Sequence, residues 1–293
     1  MSNQPTISDA LARSHRQRVR RERLSRIFSL YLPLVLFLVF ILFPFYWMFV
    51  TSIKPEAELY GATTYWPHNF TWDSYVNLFG RFDFLKPMGN SLFVAFVTTL
   101  VTLFVSTLAA YAFTRFEFRG RKPLMVMFLT NNMFPTVLLM IPLYIIMRSL
   151  SLLFTPWALV LSYTTFTIPF TVWLLNGYLN DLPLALEEAA EVDGANRVQA
   201  FLYVIMPILA PCIVAAGVYV FMQSWNEYTF ASLFTNSGNR TIPVALKSLV
   251  GNLGVQWDLI TSGGVITIIP VCVMFFFAQK RLVEGLTAGA VKG

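Results

Sequence analysis

The sequence predicts an all-α integral membrane protein with six transmembrane helices, on three observations. Only 12% of its 293 residues are charged while 56% are hydrophobic, against about a quarter charged in a soluble domain. Six stretches are nearly free of charge and close to the roughly 20 residues that cross a bilayer as a helix. Between two of them lies a polar, acid-rich loop. Backbone groups in hydrocarbon have no water to bond, so each stretch must satisfy its own as a helix; barrel strands would be about half as long and would alternate in polarity.

Residues 1–27 form a polar segment with seven arginines between Arg13 and Arg26. Residues 28–280 make one transmembrane domain. Its first span, Phe28–Val50, exceeds the apolar run of a cleaved signal and has no small-residue cleavage site after it, so it reads as an uncleaved anchor. An aromatic connection, Thr51–Pro87, follows, in which Trp66 and Trp72 suit the headgroup level. The second span, Met88–Thr114, carries Ser91, Thr98, Thr102, Ser106, Ala109 and Ala110, small and hydroxylated residues that let helices approach and bond across. The third, Pro123–Met147, holds Pro135, Pro142, Asn131 and Asn132. The fourth is Pro156–Gly177 and the fifth Pro207–Phe230. A connection with a short surface helix, Pro243–Val250, leads to the sixth, Leu259–Gln279, smoothed by Gly263 and Gly264. Residues 281–293 are a tail.

Lysine and arginine set the orientation. Residues 1–27, the second–third connection (Arg115, Arg119, Arg121, Lys122), Arg197 and the tail (Lys280, Arg281, Lys292) hold most of the basic charge. Lys54, Arg81, Lys86, Arg148, Arg240 and Lys247 lie on the other side. The basic side is cytoplasmic, so both termini and the acid-rich loop are expected to face the cytoplasm. The net charge of +6 is therefore topological. The arginines accompany no nucleic-acid-binding fold, and nucleic acid is not an expected partner.

The loop, residues 178–207, reads as helix, turn, helix. Pro183 sits in a first turn, Leu184 to Val192 contains good helix formers, and Glu187 and Glu188 lie near the positive end of the dipole. Gly194 suits a left-handed stop. A second helix runs from Ala195 to Met206, and Pro207 ends or kinks it. An amphipathic helix lying on lipid would be basic; this one is acidic and is expected to dock onto a partner in water.

Glu188, Ala189, Ala190, Gly194 and Pro207, with Val204 and Met206 as conservative departures, resemble the EAA loop of the membrane subunits of ABC importers. The resemblance implies a coupling helix that inserts into a cleft on a cytoplasmic ATPase, with Glu187, Glu188, Ala189, Ala190, Asp193, Gly194 and Pro207 as the coupling residues. The final residues, Arg281 to Gly293, resemble the tail of MalG-like permease subunits of maltose-type carbohydrate importers, and length and span order extend that likeness over essentially the whole chain. It implies a tail that reaches the ATPase, with Gly285, Gly289, Lys292 and Gly293 as contacts and the glycines allowing a flexible strand. It further implies a second homologous, MalF-like permease, two copies of the ATPase, and an extracytoplasmic sugar-binding protein.

Few polar residues lie at membrane depth: Asn131, Asn132, Gln223, Trp225, Asn226 and Glu227. Ionisable groups there are functional candidates, and Trp225-Asn226-Glu227-Tyr228 resembles the fifth-span stretch of sugar permeases. These residues are candidates for the solute pathway; the alternative places Glu227, near the external interface, simply in water. No P-loop is present: Gly120-Arg121-Lys122 lacks the upstream Gly and the following Ser/Thr. The chain is expected to be no enzyme and to hold no cofactor or metal, with ATP and Mg on the partner ATPase. His15 and His68 fall on opposite sides, and Cys212 and Cys272 in different spans. A permease for another small polar solute, an ion-coupled carrier and a docking scaffold are the remaining readings. The carrier would need buried ionisable relays and a duplicated half, which the sequence lacks in recognisable form.

Overall fold

The computed structural model describes residues 27–131, 133–251 and 254–290. Among the described residues five helices are long and apolar enough to cross a bilayer, and a bent pair makes six if it is counted as one broken span. The first span, Leu32–Ser52, follows a π turn at Ile27–Tyr31. It is exposed along most of its length; Phe40 is 78% accessible. Apolar surface of that extent is stable only against lipid or another apolar helix. Its last turn is buried at Val50 and Ser52, and it packs against the sixth span.

The second span, Leu85–Arg115, lies at the centre, against the fourth, Pro156–Asn180, and the fifth. Its small and hydroxylated residues form the buried face: Ser91, Ala95, Thr98, Thr102, Ser106 and Ala110 all turn inward. Between helices already surrounded by lipid, burial adds little drive, so close packing and interhelical hydrogen bonds hold the pair. Thr102 bonds Thr167 at 2.9 Å. The Ser106 hydroxyl donates to the Ile168 carbonyl at 3.5 Å, and Asn176 donates to Thr114 at 2.8 Å.

The third span departs from the expected continuous helix. It breaks into Arg121–Asn131 and Thr136–Ser149, which meet at 101°. Pro135, extended at φ −61° and ψ 112°, offers no N–H and disfavours helical backbone in the residue before it. The fifth crossing runs through Arg197–Trp225 and is shorter at its outer end than expected. After Trp225 the helix stops, and a new helix starts at Thr229–Phe234. At its inner end, of the two outcomes expected at Pro207, an end or a kink, the helix does not end. The helix instead widens into a π turn at Phe201–Ile205 and continues from Met206. Pro207 cannot donate to the Tyr203 carbonyl, and a π turn absorbs that missing bond without ending the helix.

The sixth span, Trp257–Ala290, is helical through Gly285 and Gly289, so the expected flexible strand at these glycines is helix instead. Lys292 and Gly293 lie outside the described residues. Gly263 and Gly264 form the smooth face. A Cβ at Gly263 would stand 2.6 Å from Leu246 Cδ2, and one at Gly264 would stand 2.7 Å from Met48 Sδ. The outer surface is capped by Asp73–Gly80 and by Ile242–Ser248, the latter close to the expected surface helix. Trp66 and Trp72 are exposed there, as an interfacial position requires. Glu58 accepts from the Thr64 hydroxyl at 2.6 Å and from the His68 backbone. The Thr64 bond, ahead of the His68 contacts, holds the Glu58 carboxyl below its ordinary value.

Candidate functional site

The acid-rich loop is built by two local devices. Its first helix, Ala185–Val192, ends at Gly194, whose φ of +93° belongs to the left-handed region. The Gly194 N–H reaches the Glu191 carbonyl at 3.0 Å and the Ala195 N–H reaches the Ala190 carbonyl at 2.9 Å. Together they form the double bond pattern of a Schellman stop. No atom lies within 4 Å of where a Cβ would stand, so backbone conformation rather than space selects glycine. Asn196 then opens the next helix through a capping box. Its side chain accepts from the Gln199 N–H at 2.9 Å, and the Gln199 side chain accepts from the Asn196 N–H at 2.8 Å, which satisfies two orphan donors at once. The turn is thus rigid on both sides.

Glu188, Ala189, Asp193 and Gly194 are exposed, and Ala190 is half-buried. Val192, Val198 and Tyr203 join them at 87%, 65% and 76% accessible. The sequence offered no periodic signal for these three: Val192 ends a short helix, and Val198 and Tyr203 begin the fifth crossing, which has no polar stripe to set its orientation. Pro207 is exposed as well.

Glu187 corrects the expectation that it faces a partner. It is buried at 6% accessibility, and its carboxylate turns back into the bundle. Arg115 Nε donates to its Oε1 at 2.5 Å, and Tyr111 donates to Oε2 at 2.7 Å. Arg115 Nη2 also reaches the Leu182 carbonyl at 3.2 Å. The helix explains the reversal: Glu187 and Glu188 lie about 100° apart around the axis, so when one faces water the other faces the second span. Charge order alone does not reveal which. Arg115 and Tyr111, which hold this carboxylate, were not singled out as site residues from the sequence; the one available signal was a basic residue at the end of an apolar span.

At membrane depth a cavity of 430 Å³ lies between the fourth and fifth spans and the break of the third. Its walls are aromatic. Phe170 packs on Tyr219 with ring centres 4.3 Å apart, and Phe166 packs on Phe230 at 5.2 Å. Gln223, Glu227 and Asn131 supply polarity. Asn132 lies outside the described residues. Gln223 donates to Tyr219 at 3.1 Å.

Glu227 is not left in bulk water. Its Oε1 accepts from the Phe230 N–H at 2.9 Å, and its Oε2 accepts from the Ala231 N–H at 3.1 Å and from the Tyr163 hydroxyl at 2.6 Å. It therefore caps the helix that restarts at Thr229 and holds that helix to the fourth span, while one edge faces the cavity. Trp225 and Asn226, expected beside it in the pathway, are elsewhere. Trp225 is 2% accessible and stacks on Phe221 at 5.5 Å. Asn226 points outward and donates to the Met222 carbonyl at 2.9 Å. Gln223, Ser224 and Glu227 line the cavity together, while Trp225 and Asn226 between them do not.

A bundle of lipid-facing helices that encloses a polar-lipped cavity and presents a rigid loop at one end is the architecture of a multi-pass transport permease. A family model described as "Binding-protein-dependent transport system inner membrane component" matches residues 102–287, and the chain belongs to that family. It is 37% identical to the inner membrane ABC transporter permease protein YcjP of Escherichia coli (strain K12), over 93% of this chain and 99% of that protein. It is 36% identical to the trehalose/maltose transport system permease protein MalG of Thermococcus litoralis, over 94% of this chain and all of that protein. A chain from the crystal structure of a bacterial ABC transporter that imports the acidic polysaccharide alginate superimposes with a TM-score of 0.76 at 23% identity. The match covers 89% of this chain and 98% of that one, which shows a shared fold.

Proposed function

We propose that this chain is the carbohydrate-translocating permease subunit of an ATP-driven importer. The observation that carries the reading is the cavity: aromatic walls of Phe166, Phe170, Tyr219 and Phe230 beside the amides and carboxylate of Asn131, Gln223 and Glu227. A sugar ring has an apolar face that packs on aromatic rings and hydroxyls that need acceptors, and this lining offers both. A relative that transports trehalose and maltose supports the same class.

In this reading the chain pairs with a second homologous permease, an external sugar-binding protein delivers solute, and two copies of a cytoplasmic ATPase bind the exposed loop. ATP and Mg belong to that ATPase, and this chain needs no cofactor of its own. Both termini are cytoplasmic, and the tail, through Gly285, Gly289, Lys292 and Gly293, contacts the ATPase. Glu188, Ala189, Ala190, Asp193 and Gly194 meet the ATPase directly, with Val192 and Val198 adding apolar contact. Nucleotide shifts the permease between its inward- and outward-facing states only insofar as the ATPase grips the loop differently in each.

The test is purification of the tagged chain in mild detergent with its partners, followed by uptake of trehalose and maltose into proteoliposomes. Co-purification of a P-loop ATPase and ATP-dependent uptake are expected. Solute flux by the chain alone, without ATP, would overturn the proposal in favour of a carrier.

A further inference from the structure

We infer that Arg115 and Glu187 form the joint through which the coupling helix drives the second span, and that the second and fourth spans move with it as one body. The inference rests on the ATPase-docking reading above.

The coupling helix is covalently continuous with the fourth and fifth spans. It reaches the second span through side chains. Arg115 Nε and the Tyr111 hydroxyl both donate to the Glu187 carboxylate, and Arg115 Nη2 donates to the Leu182 carbonyl just before the helix. The Arg115 and Glu187 side chains are 11% and 8% accessible. A pair so largely removed from solvent meets little competing water, and removing either charge leaves the other buried without its partner. The contact therefore resists sliding and transmits displacement instead of absorbing it. The Tyr111 ring also lies 4.6 Å from the ring of Phe201, which clamps the same point from the fifth-span side.

Above the joint, the second span is tied to the fourth by three hydrogen bonds spread along its length: Asn176 to Thr114, Ser106 to the Ile168 carbonyl, and Thr102 with Thr167. Thr167 belongs to the cavity wall. Polar contacts between the second and fourth spans thus recur at intervals from the docking loop to the cavity, independent of the chain path. The remaining loop acids, Glu188, Glu191 and Asp193, are exposed and take no part in it. Glu187 and Arg115 are positioning residues: they touch neither the solute nor the ATPase.

The experiment uses the whole complex in proteoliposomes. Spin labels are placed at Leu108→Cys on the second span and Phe276→Cys on the sixth, both exposed, in a Cys272→Ser background. The label-to-label distance is measured with and without trapped ATP, beside the rate of ATP hydrolysis. We expect the distance to change with ATP in the parent protein. Arg115→Ala and Glu187→Ala should lose most of that change while still hydrolysing ATP, and the exchanged pair Arg115→Glu with Glu187→Arg should regain it. A merely structural pair would alter assembly and hydrolysis together. If an alanine variant does not assemble, Glu187→Gln and Tyr111→Phe decide: a full ATP-driven change in both overturns the inference. A parent complex that hydrolyses ATP with no distance change overturns it too. Absence of any co-purified ATPase instead sinks the docking reading on which it stands.

Discussion

Arg115 and Glu187 are 72 residues apart in sequence and 2.5 Å apart in space, and their contact is the point where the cytoplasmic loop meets the central helix of the bundle. Breaking such a buried pair by removing one partner costs roughly 3–5 kcal/mol. The loop is therefore a fixed extension of the bundle.

Gly194→Val should uncouple uptake while leaving the protein in the membrane. Gly194 sits at φ +93°, where a β-branched residue is strained by about 1–3 kcal/mol. The Schellman stop must distort, which re-aims the second helix of the loop. ATP-driven uptake measured at matched expression checks this; full uptake would refute it.

Glu188→Lys tests the exposed acid. Glu188 has no ion-pair partner among the described residues and is open to water, so the change should leave the fold intact. Uptake should fall roughly tenfold, the equivalent of about 1.4 kcal/mol in docking, and salt should modulate the defect. Binding of the ATPase, read by pull-down at low and high salt, gives the answer.

Glu227→Gln and Glu227→Ala should separate. Glutamine keeps one acceptor oxygen where the carboxylate offers one each to the N–H groups of Phe230 and Ala231; alanine keeps none and should cost the helix about 1 kcal/mol of capping. Both should alter uptake kinetics, and alanine alone should also lower the melting temperature. Unchanged kinetics in both variants would reduce Glu227 to a cap.

Gly264→Leu should destabilise the contact between the first and sixth spans, since even a Cβ there would stand 2.7 Å from Met48 Sδ. Overpacking of this kind costs about 1–3 kcal/mol. Met48→Ala in the same chain should recover part of the loss, because it vacates the space. Thermal unfolding in detergent distinguishes the single from the double variant.

The outer loop should respond to acid. Glu58 has its carboxyl lowered in the fold, first by the Thr64 hydroxyl. A lowered folded value means that stability is fully present above the unfolded value of 4.5 and lost as pH falls below it through the folded value. Hydrogen exchange of residues 56–70 should therefore quicken below that pH while the spans stay protected. Thr64→Val should shrink this acid response, because the folded value then lies closer to 4.5.

The sequence by itself determined the membrane class, the helical nature of every crossing, and the glycine stop of the coupling loop. These follow from composition and from local rules: lipid forbids unpaired backbone, and a left-handed turn selects glycine. Charge counting also assigned a cytoplasmic side. The break in the third crossing was half legible, since Pro135 marked the place but not the 101° bend. Tertiary structure alone decided which way residues face. Glu187 turned inward, Trp225 left the cavity for the core, and Gln223 and Glu227 came together. The physical reason is that a span surrounded by lipid is apolar on every side, so it lacks the polar stripe that reveals orientation in a soluble helix. Rotation about the helix axis is set instead by small-residue packing and hydrogen bonds between helices, and these exist only once the bundle has formed.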